Sequence, residues 1–272
     1  MSSLSKKDIN ALIDMTKEVC QIIMGYYKLL DKEVETKSDN SPVTIADRHA
    51  SDFLTERLGK IPPSLPVVSE EGNQAENVKI IKSCEKFWLI DPIDGTWSFI
   101  RKKGVFTVNI ALIEKGRPIW GLIANPQDNA IYYNSESGQC LKLLDDNIEI
   151  LRAKEVSPKG VDFLVSHQNL NQRIQDYVNQ FKINTITPIP SSIKFALIAD
   201  GKGDIYPRFK RTCIWDTAAG HALLNSIGGD IIDLQGNSLV YNSGQLENPD
   251  FIAVSSLDIL KGTQPNSSSK KY

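Results

Sequence analysis

Cysteine and histidine are scarce in this chain, and it has neither a long apolar run nor a surplus of one charge. The four cysteines, Cys20, Cys84, Cys140 and Cys213, are scattered without a C-x-x-C pair. That spacing speaks for reduced thiols in a cytoplasmic protein and against a disulfide framework or a zinc site. Three histidines, His49, His167 and His221, are too few and too spread for a histidine metal cluster. No apolar stretch approaches the ~20 residues of a membrane span. Residues 1–10 are polar and do not read as a signal peptide. A net charge of −2 gives no pull toward nucleic acid or an anionic membrane surface. An anionic ligand must therefore be held by local groups.

What is present is a chain of 272 residues, 41% apolar and 24% charged, enough for one large domain or two lobes with a sizeable core. Apolar residues over 8–30 recur at helical spacing, with Ile9, Leu12, Ile13, Val19 and Ile23 on one face. Thr44 is a candidate N-cap for a second helix to about Leu58, with Asp47 completing a near capping box. Val67-Val68 forms a short strand ending at Ser69-Glu70-Glu71-Gly72, and the polar segment 73–85 is expected at the surface. Residues 87–90 form a strand, 91–96 a tight turn, and 97–100 the opening of a helix. Strands at 107–113, 118–125, 130–133 and 139–143 predict a multi-stranded antiparallel sheet. The second half alternates: strands at 163–165, 185–189, 204–206, 231–234 and 251–254, and helices at 173–181, 191–200 and 217–227. The reading divides the chain into a first lobe, 1–156, a second lobe, 157–260, and a disordered tail, 261–272.

The chemistry centres on Asp91-Pro92-Ile93-Asp94-Gly95-Thr96. Pro92 presets its own φ, and Gly95 tolerates a backbone that a side chain forbids. Two carboxylates held about 4 Å apart repel by ~4 kcal/mol at an effective dielectric of 20, and bound divalent cations would neutralise them. Asp-Pro and Asp-Gly are also ordinary surface turn dipeptides, Asp47 can be a capping carboxylate only, and Glu70-Glu71 a solvated pair. If Asp47, Glu70, Asp91, Asp94 and Asp216 converge, they make an all-oxygen site of the kind Mg²⁺ prefers. Backbone N–H groups at Gly95 and Thr96 would suit a phosphate. Together these features describe metal-assisted phosphate ester hydrolysis. The Asp-x-x-Asp spacing excludes the Asp-x-Asp-x-Thr arrangement of aspartyl-nucleophile phosphatases.

Glu70-Glu71, Asp91-Pro92-Ile93-Asp94-Gly95-Thr96 and Trp215-Asp216-Thr217-Ala218-Ala219-Gly220 occur in order. In this the chain resembles the lithium-sensitive, magnesium-dependent superfamily of inositol monophosphatase and fructose-1,6-bisphosphatase, over nearly its whole length. Segments 39–47, 106–113, 191–195 and 206–209 resemble the 3′(2′),5′-bisphosphate nucleotidase group of CysQ type within it. The resemblance implies an α/β (α+β) fold layered αβαβα, as in the sugar phosphatases. It implies two or three Mg²⁺ held by Glu70, Asp91, the carbonyl of Ile93, Asp94 and Asp216. Asp47 and Thr96 would orient and deprotonate the attacking water. Glu70, Ile93, Asp94, Gly95, Thr96 and Asp216 would also contact the substrate, joined by His167, Ser191, Lys194 and Arg208 on the nucleotide and its other phosphate. Two departures stand out: Trp97-Ser98 where the group more often has Lys-Glu, and no Arg before Ser166-His167.

The expected activity is removal of the 3′-phosphate of adenosine 3′,5′-bisphosphate (PAP), and of its sulfated form PAPS, within sulfur metabolism. The alternatives are an inositol or sugar monophosphatase of the same fold, and a non-catalytic phosphonucleotide-binding module. The expected partner is this small phosphorylated nucleotide, with no nucleic acid and no transmembrane segment. Peripheral association with the inner membrane, and the choice of monomer or homodimer, stay open.

Overall fold

The structure is a computed structural model that describes residues 4–29, 34–36, 42–102 and 104–261, the first two strands by backbone alone. Asp39-Asn40-Ser41, the Thr44 cap, and the tail from residue 262 onward lie outside the described residues or side chains.

Helix α1 (Lys6–Leu29) buries Ile9, Leu12, Ile13, Val19 and Ile23, as its spacing predicts. Strands β1 (Val34–Thr36) and β2 (Pro42–Thr44) pair antiparallel and lead to α2 (Ile45–Leu58). Next come β3 (Val67–Ser69), α3 (Gln74–Ser83), β4 (Lys86–Asp94), the short α4 (Thr96–Ile100) and β5 (Thr107–Glu114). Strands β6 (Arg117–Asn125), β7 (Ala130–Asn134), β8 (Cys140–Leu144) and β9 (Asn147–Ile150) complete a seven-stranded sheet in the order β3 to β9. It is antiparallel except for the β3–β4 pair.

The second half opens with β10 (Val161–Val165), α5 (Gln172–Val178), β11 (Ile183–Pro188), α6 (Ile193–Ala199) and β12 (Ile205–Arg208). It ends with α7 (Ile214–Ser226), β13 (Asp230–Asp233), β14 (Phe251–Val254) and α8 (Asp258–Lys261). Its mixed sheet runs β11-β10-β12-β14-β13.

Strand periodicity sets the layers, because successive side chains point to opposite faces. Trp88 and Ile90 of β4 face α1 and α2, with Ile110, Leu112, Trp120 and Leu122. Phe87 and Leu89 face the other way and share one core with Phe195 of α6 and Trp215, Ala218 and Leu223 of α7. On the far face of the second sheet, Phe163, Phe209 and Val254 pack with Tyr177 and Val178 of α5. The result is five layers, αβαβα. Burial on both faces explains why the central strands read as continuous apolar runs. Helix α7 is buried almost all round, as a helix between two sheets must be. A Cβ at Gly220 would overlap the Phe195 ring, so only glycine lets α6 and α7 approach this closely.

Four local expectations are corrected. The segment expected as polar surface contains α3, capped by Asn73, with Asn77 and Ile81 buried. Asp91-Pro92-Ile93-Asp94 belongs to β4 rather than to a free turn. It ends that strand in a bulge, with Asp91 opposite Asn109 and Asp94 opposite Thr107. Helix α7 starts at Ile214, so Asp216 lies inside its first turn. Strand β9 was not anticipated, since all four of its residues are exposed and lack an apolar pattern that buries.

Candidate active site

The β4 bulge throws Pro92 and Ile93 out of the ladder and leaves Asp91 buried at the strand end. The Ile93 N–H donates to Asp91 Oδ1 at 3.1 Å, which fixes that carboxylate. Gly95 then takes φ +95°, a left-handed conformation suited to glycine, and caps α4. Thr96 Oγ1 donates to the Ile93 carbonyl at 3.2 Å. Glu70 follows β3, its N–H bonded to Ile90 O at 3.3 Å. The end of β3 is fastened from two sides, by Ser51 Oγ to Ser69 Oγ (2.7 Å) and by Asn77 Nδ2 to Ser69 O (2.7 Å). Asp216 comes from α7, where its Oδ2 accepts the Cys213 N–H at 2.8 Å.

These elements bring carboxylate oxygens of Glu70, Asp91 and Asp216 within 4.8 Å of one another. Asp94 accepts hydrogen bonds from the Ser192 N–H and, at 3.4 Å, from Thr107 Oγ1. Asp47 is buried in the first turn of α2. Burial pushes the Asp91 carboxyl well above its ordinary range, and Glu70, Asp94, Asp216 and Asp47 push it further. Burial does the same to Asp216, with Asp94 and Glu70 adding, and the Cys213 N–H and Arg208 opposing. The other four predicted carboxylates therefore all act on Asp91. A group made only of carboxylates, at mutual repulsion, fits a hard divalent cation and not a zinc ion.

A cleft of about 250 Å³ opens at this cluster, lined by Asp94, Gly95, Asp216, His167, Ser191, Lys194 and Arg208. Arg208 Nη1 donates to Ser166 Oγ at 2.9 Å, while its Nε is buried without a hydrogen-bond partner. Ser191 holds φ +59°, a conformation that costs a non-glycine residue ~1 kcal/mol or more. Lys194 secures that turn: its ammonium donates to the carbonyls of Ile189 (3.0 Å) and Ser191 and lies 4.6 Å from the Tyr206 ring centre. Burial lowers Lys194 to about 7, helped by Arg208 and opposed by Asp94 and Asp216. His167 is exposed and held below its usual range by partial burial and by Lys210, Arg208 and Lys194. Glu71 stays outside the three-carboxylate group, its N–H bonded to Ser69 Oγ at 3.3 Å.

Sequence reasoning missed the polar set behind Asp94. Ser192 Oγ bonds Thr107 Oγ1 and Asn109 Oδ1, each at 2.7 Å, tying α6 to β5. It also missed the brace behind Asp216. Asn248 Nδ2 donates to Cys213 O (2.6 Å) and Thr217 Oγ1 (3.1 Å), and buried His221 bridges Tyr241 and Asp230. Both sets join residues far apart in sequence, so no local spacing announces them. The exposed Trp97, on the cleft, carried a signal only as a departure from the resembling group.

The profile of the inositol monophosphatase family matches residues 5–258. The 3′(2′),5′-bisphosphate nucleotidase CysQ of Salmonella typhimurium is 37% identical over 246 residues, 87% of this chain and 98% of that protein. The crystal structure of CysQ from Bacteroides thetaiotaomicron, a bacterial member of the inositol monophosphatase family, superposes with a TM-score of 0.75. It shares 31% identity, over 90% of this chain and 97% of that one. A Thermotoga maritima IMPase gives a TM-score of 0.73 at 22% identity, over 94% of this chain and 96% of that one, a likeness of fold. Enzymes of the family are magnesium-dependent, in keeping with the acidic cluster. No helix among the described residues is long and apolar enough to cross a membrane. On the matching profile and a relative sharing more than a third of its residues, this chain belongs to the inositol monophosphatase family.

Proposed function

We propose that this chain is a Mg²⁺-dependent 3′(2′),5′-bisphosphate nucleotidase that converts PAP to AMP and phosphate and also accepts PAPS. The observation that carries the reading is one cleft lined by Asp94, Asp216 and the Arg208 guanidinium, with Asp216 clustered against Glu70 and the buried Asp91. Kinship to curated CysQ nucleotidases supports the choice of substrate. In this reading Glu70, Asp91, Asp94, Asp216 and the Ile93 carbonyl would hold two or three Mg²⁺. Bound Mg²⁺ supplies Lewis-acid activation of water and neutralises charge on the leaving oxygen.

The chain's own groups do the rest. Asp47, buried in the first turn of α2, accepts the proton of the attacking water, and the Thr96 hydroxyl orients that water. The Gly95 and Thr96 N–H groups bind the scissile phosphate. Arg208, whose guanidinium lines the cleft, takes the second phosphate in a charge-assisted hydrogen bond. Ser191 and His167 line the same cleft. Lys194 holds the 189–191 turn in place and adds positive potential behind it. The substrate is a free nucleotide, which suits a cytoplasmic enzyme.

The test is phosphate release across PAP, PAPS, inositol monophosphate and fructose phosphates, with and without Mg²⁺. Preferential, Mg²⁺-dependent release from PAP is expected. A clear preference for inositol phosphate replaces the substrate. Nucleotide binding with no phosphate release from any of them returns the chain to a non-catalytic binding module.

A further inference from the structure

Of the four tryptophans, Trp88, Trp120 and Trp215 are 1%, 0% and 5% exposed, while Trp97 is 54% exposed. Trp97 owes this to helix geometry. Phe99, two residues on and about 200° round the helix, is fully buried against Phe106 (4.9 Å between ring centres, edge-on) and Tyr27 (5.4 Å). Anchoring Phe99 in the core turns Trp97 outward, onto the lining of the cleft that Gly95, His167 and Arg208 also line. The Arg101 guanidinium lies over the indole, 4.8 Å from its centre. A large apolar ring left in water has unfavourable hydration. It gains most from a flat partner that removes it from water on binding.

A nucleoside bisphosphate presents three recognisable parts: a scissile phosphate, a second phosphate and a planar base. The functional reading given above accounts for the first two and leaves the base without a partner. We infer that Trp97 is the base-stacking platform of this cleft, so that the preferred substrates are phosphate esters carrying an aromatic base. The inference rests on the nucleotidase reading and names the contact by which this chain would favour a nucleotide over an inositol or sugar phosphate.

The experiment compares adenosine 5′-monophosphate with ribose 5-phosphate, with Mg²⁺ present, on wild-type chain and on Trp97→Ala and Trp97→Phe. A base–aromatic stack is worth ~1–3 kcal/mol, about 5- to 150-fold in Kd at ~1.4 kcal/mol per decade. Trp97→Ala is expected to lose that factor for the nucleotide and less than about twofold for the base-free sugar. Trp97→Phe should recover most of it. Because the other three tryptophans are buried, the solvent-exposed emission belongs to Trp97. The nucleotide should quench it and ribose 5-phosphate should not. Equal losses for both ligands, no loss for either, or no base-dependent quenching overturns the inference. Phosphate release by the wild-type chain reports separately on the substrate. Turnover of inositol phosphate alone defeats the nucleotidase reading, and the titration still decides the stacking.

Discussion

At the floor Asp94, which lines the cleft, and Asp91, buried on the same strand, are fixed by main-chain N–H groups, from Ser192 and from Ile93. On the facing wall Arg208 reaches its place on a long side chain, steadied by one serine hydroxyl and the Arg211 carbonyl. The floor is like-charged and fastened from the sheet; the wall is basic and held by side chains. Rigid placement suits groups that must meet a cation within tenths of an ångström. Adaptable placement suits a second phosphate whose position varies with the ligand. The difference also assigns kinetic consequences: floor residues should govern kcat, wall residues KM.

The sharpest way to break this division is Asp91→Asn. It removes one charge from the group while keeping the side chain's size, and should lower kcat by at least ~10²–10³-fold, the scale of one lost electrostatic contact to the transition state. A loss confined to KM would contradict the comparison. Next is Arg208→Ala. Charge-assisted hydrogen bonds are worth ~1.5–3 kcal/mol, so KM for a bisphosphate should rise ~10- to 150-fold with kcat nearly kept. Initial-rate kinetics against a monophosphate, where the change should be small, isolates the contact to the second phosphate.

Floor repulsion can be read without substrate. Asp91 and Asp216 bind protons more tightly when folded than when unfolded. Their contribution therefore favours the folded state at low pH and is lost as pH rises from the ordinary carboxylate range through their raised values. In chelator, Tm should fall between about pH 5 and pH 8, and saturating Mg²⁺ should flatten that slope. A Mg²⁺ effect on Tm no larger at pH 8 than at pH 5 counts against a cation on this floor. The smallest expected change is His167→Asn. The ring is exposed, and its proton affinity is depressed by partial burial and nearby cations, so at neutral pH it carries little charge. KM should move less than about threefold. In the wild type, binding of an anionic ligand should tighten as pH drops through the depressed value.

Much of this site was legible because its acids stand beside strong strand signals. Phe87-Trp88-Leu89-Ile90 announces β4, and Val67-Val68 announces β3, so Asp91 near the end of the one and Glu70 just after the other are placed by those strands. What the spacing could not give was the conformation of the Asp-Pro-Ile-Asp stretch. It pairs with Asn109 and Thr107 across a bulge, and pairing partners are a tertiary fact. Helix α3 was hidden by polar composition, since only Asn77 and Ile81 turn inward. A signal was available in Asn73, whose side chain accepts the Glu76 N–H at 3.1 Å, an Asn-x-x-Glu helix start. The Ser192–Thr107–Asn109 set joins residues some 85 apart and leaves no local trace. Lys194 could be matched to a position by resemblance, but its bonds to two carbonyls follow from the left-handed turn at Ser191.

Helix α7 belongs to the second half of the chain by sequence, yet it sits against the sheet of the first. It carries Asp216 into the cluster from there. The two halves are therefore interleaved, like a key left in its lock. A backbone nick between Leu151 and Gly160, outside every strand and helix, should leave the pieces associated and hydrolysis intact. The two fragments made separately should stay inactive until mixed, because neither can wrap its own apolar face unaided.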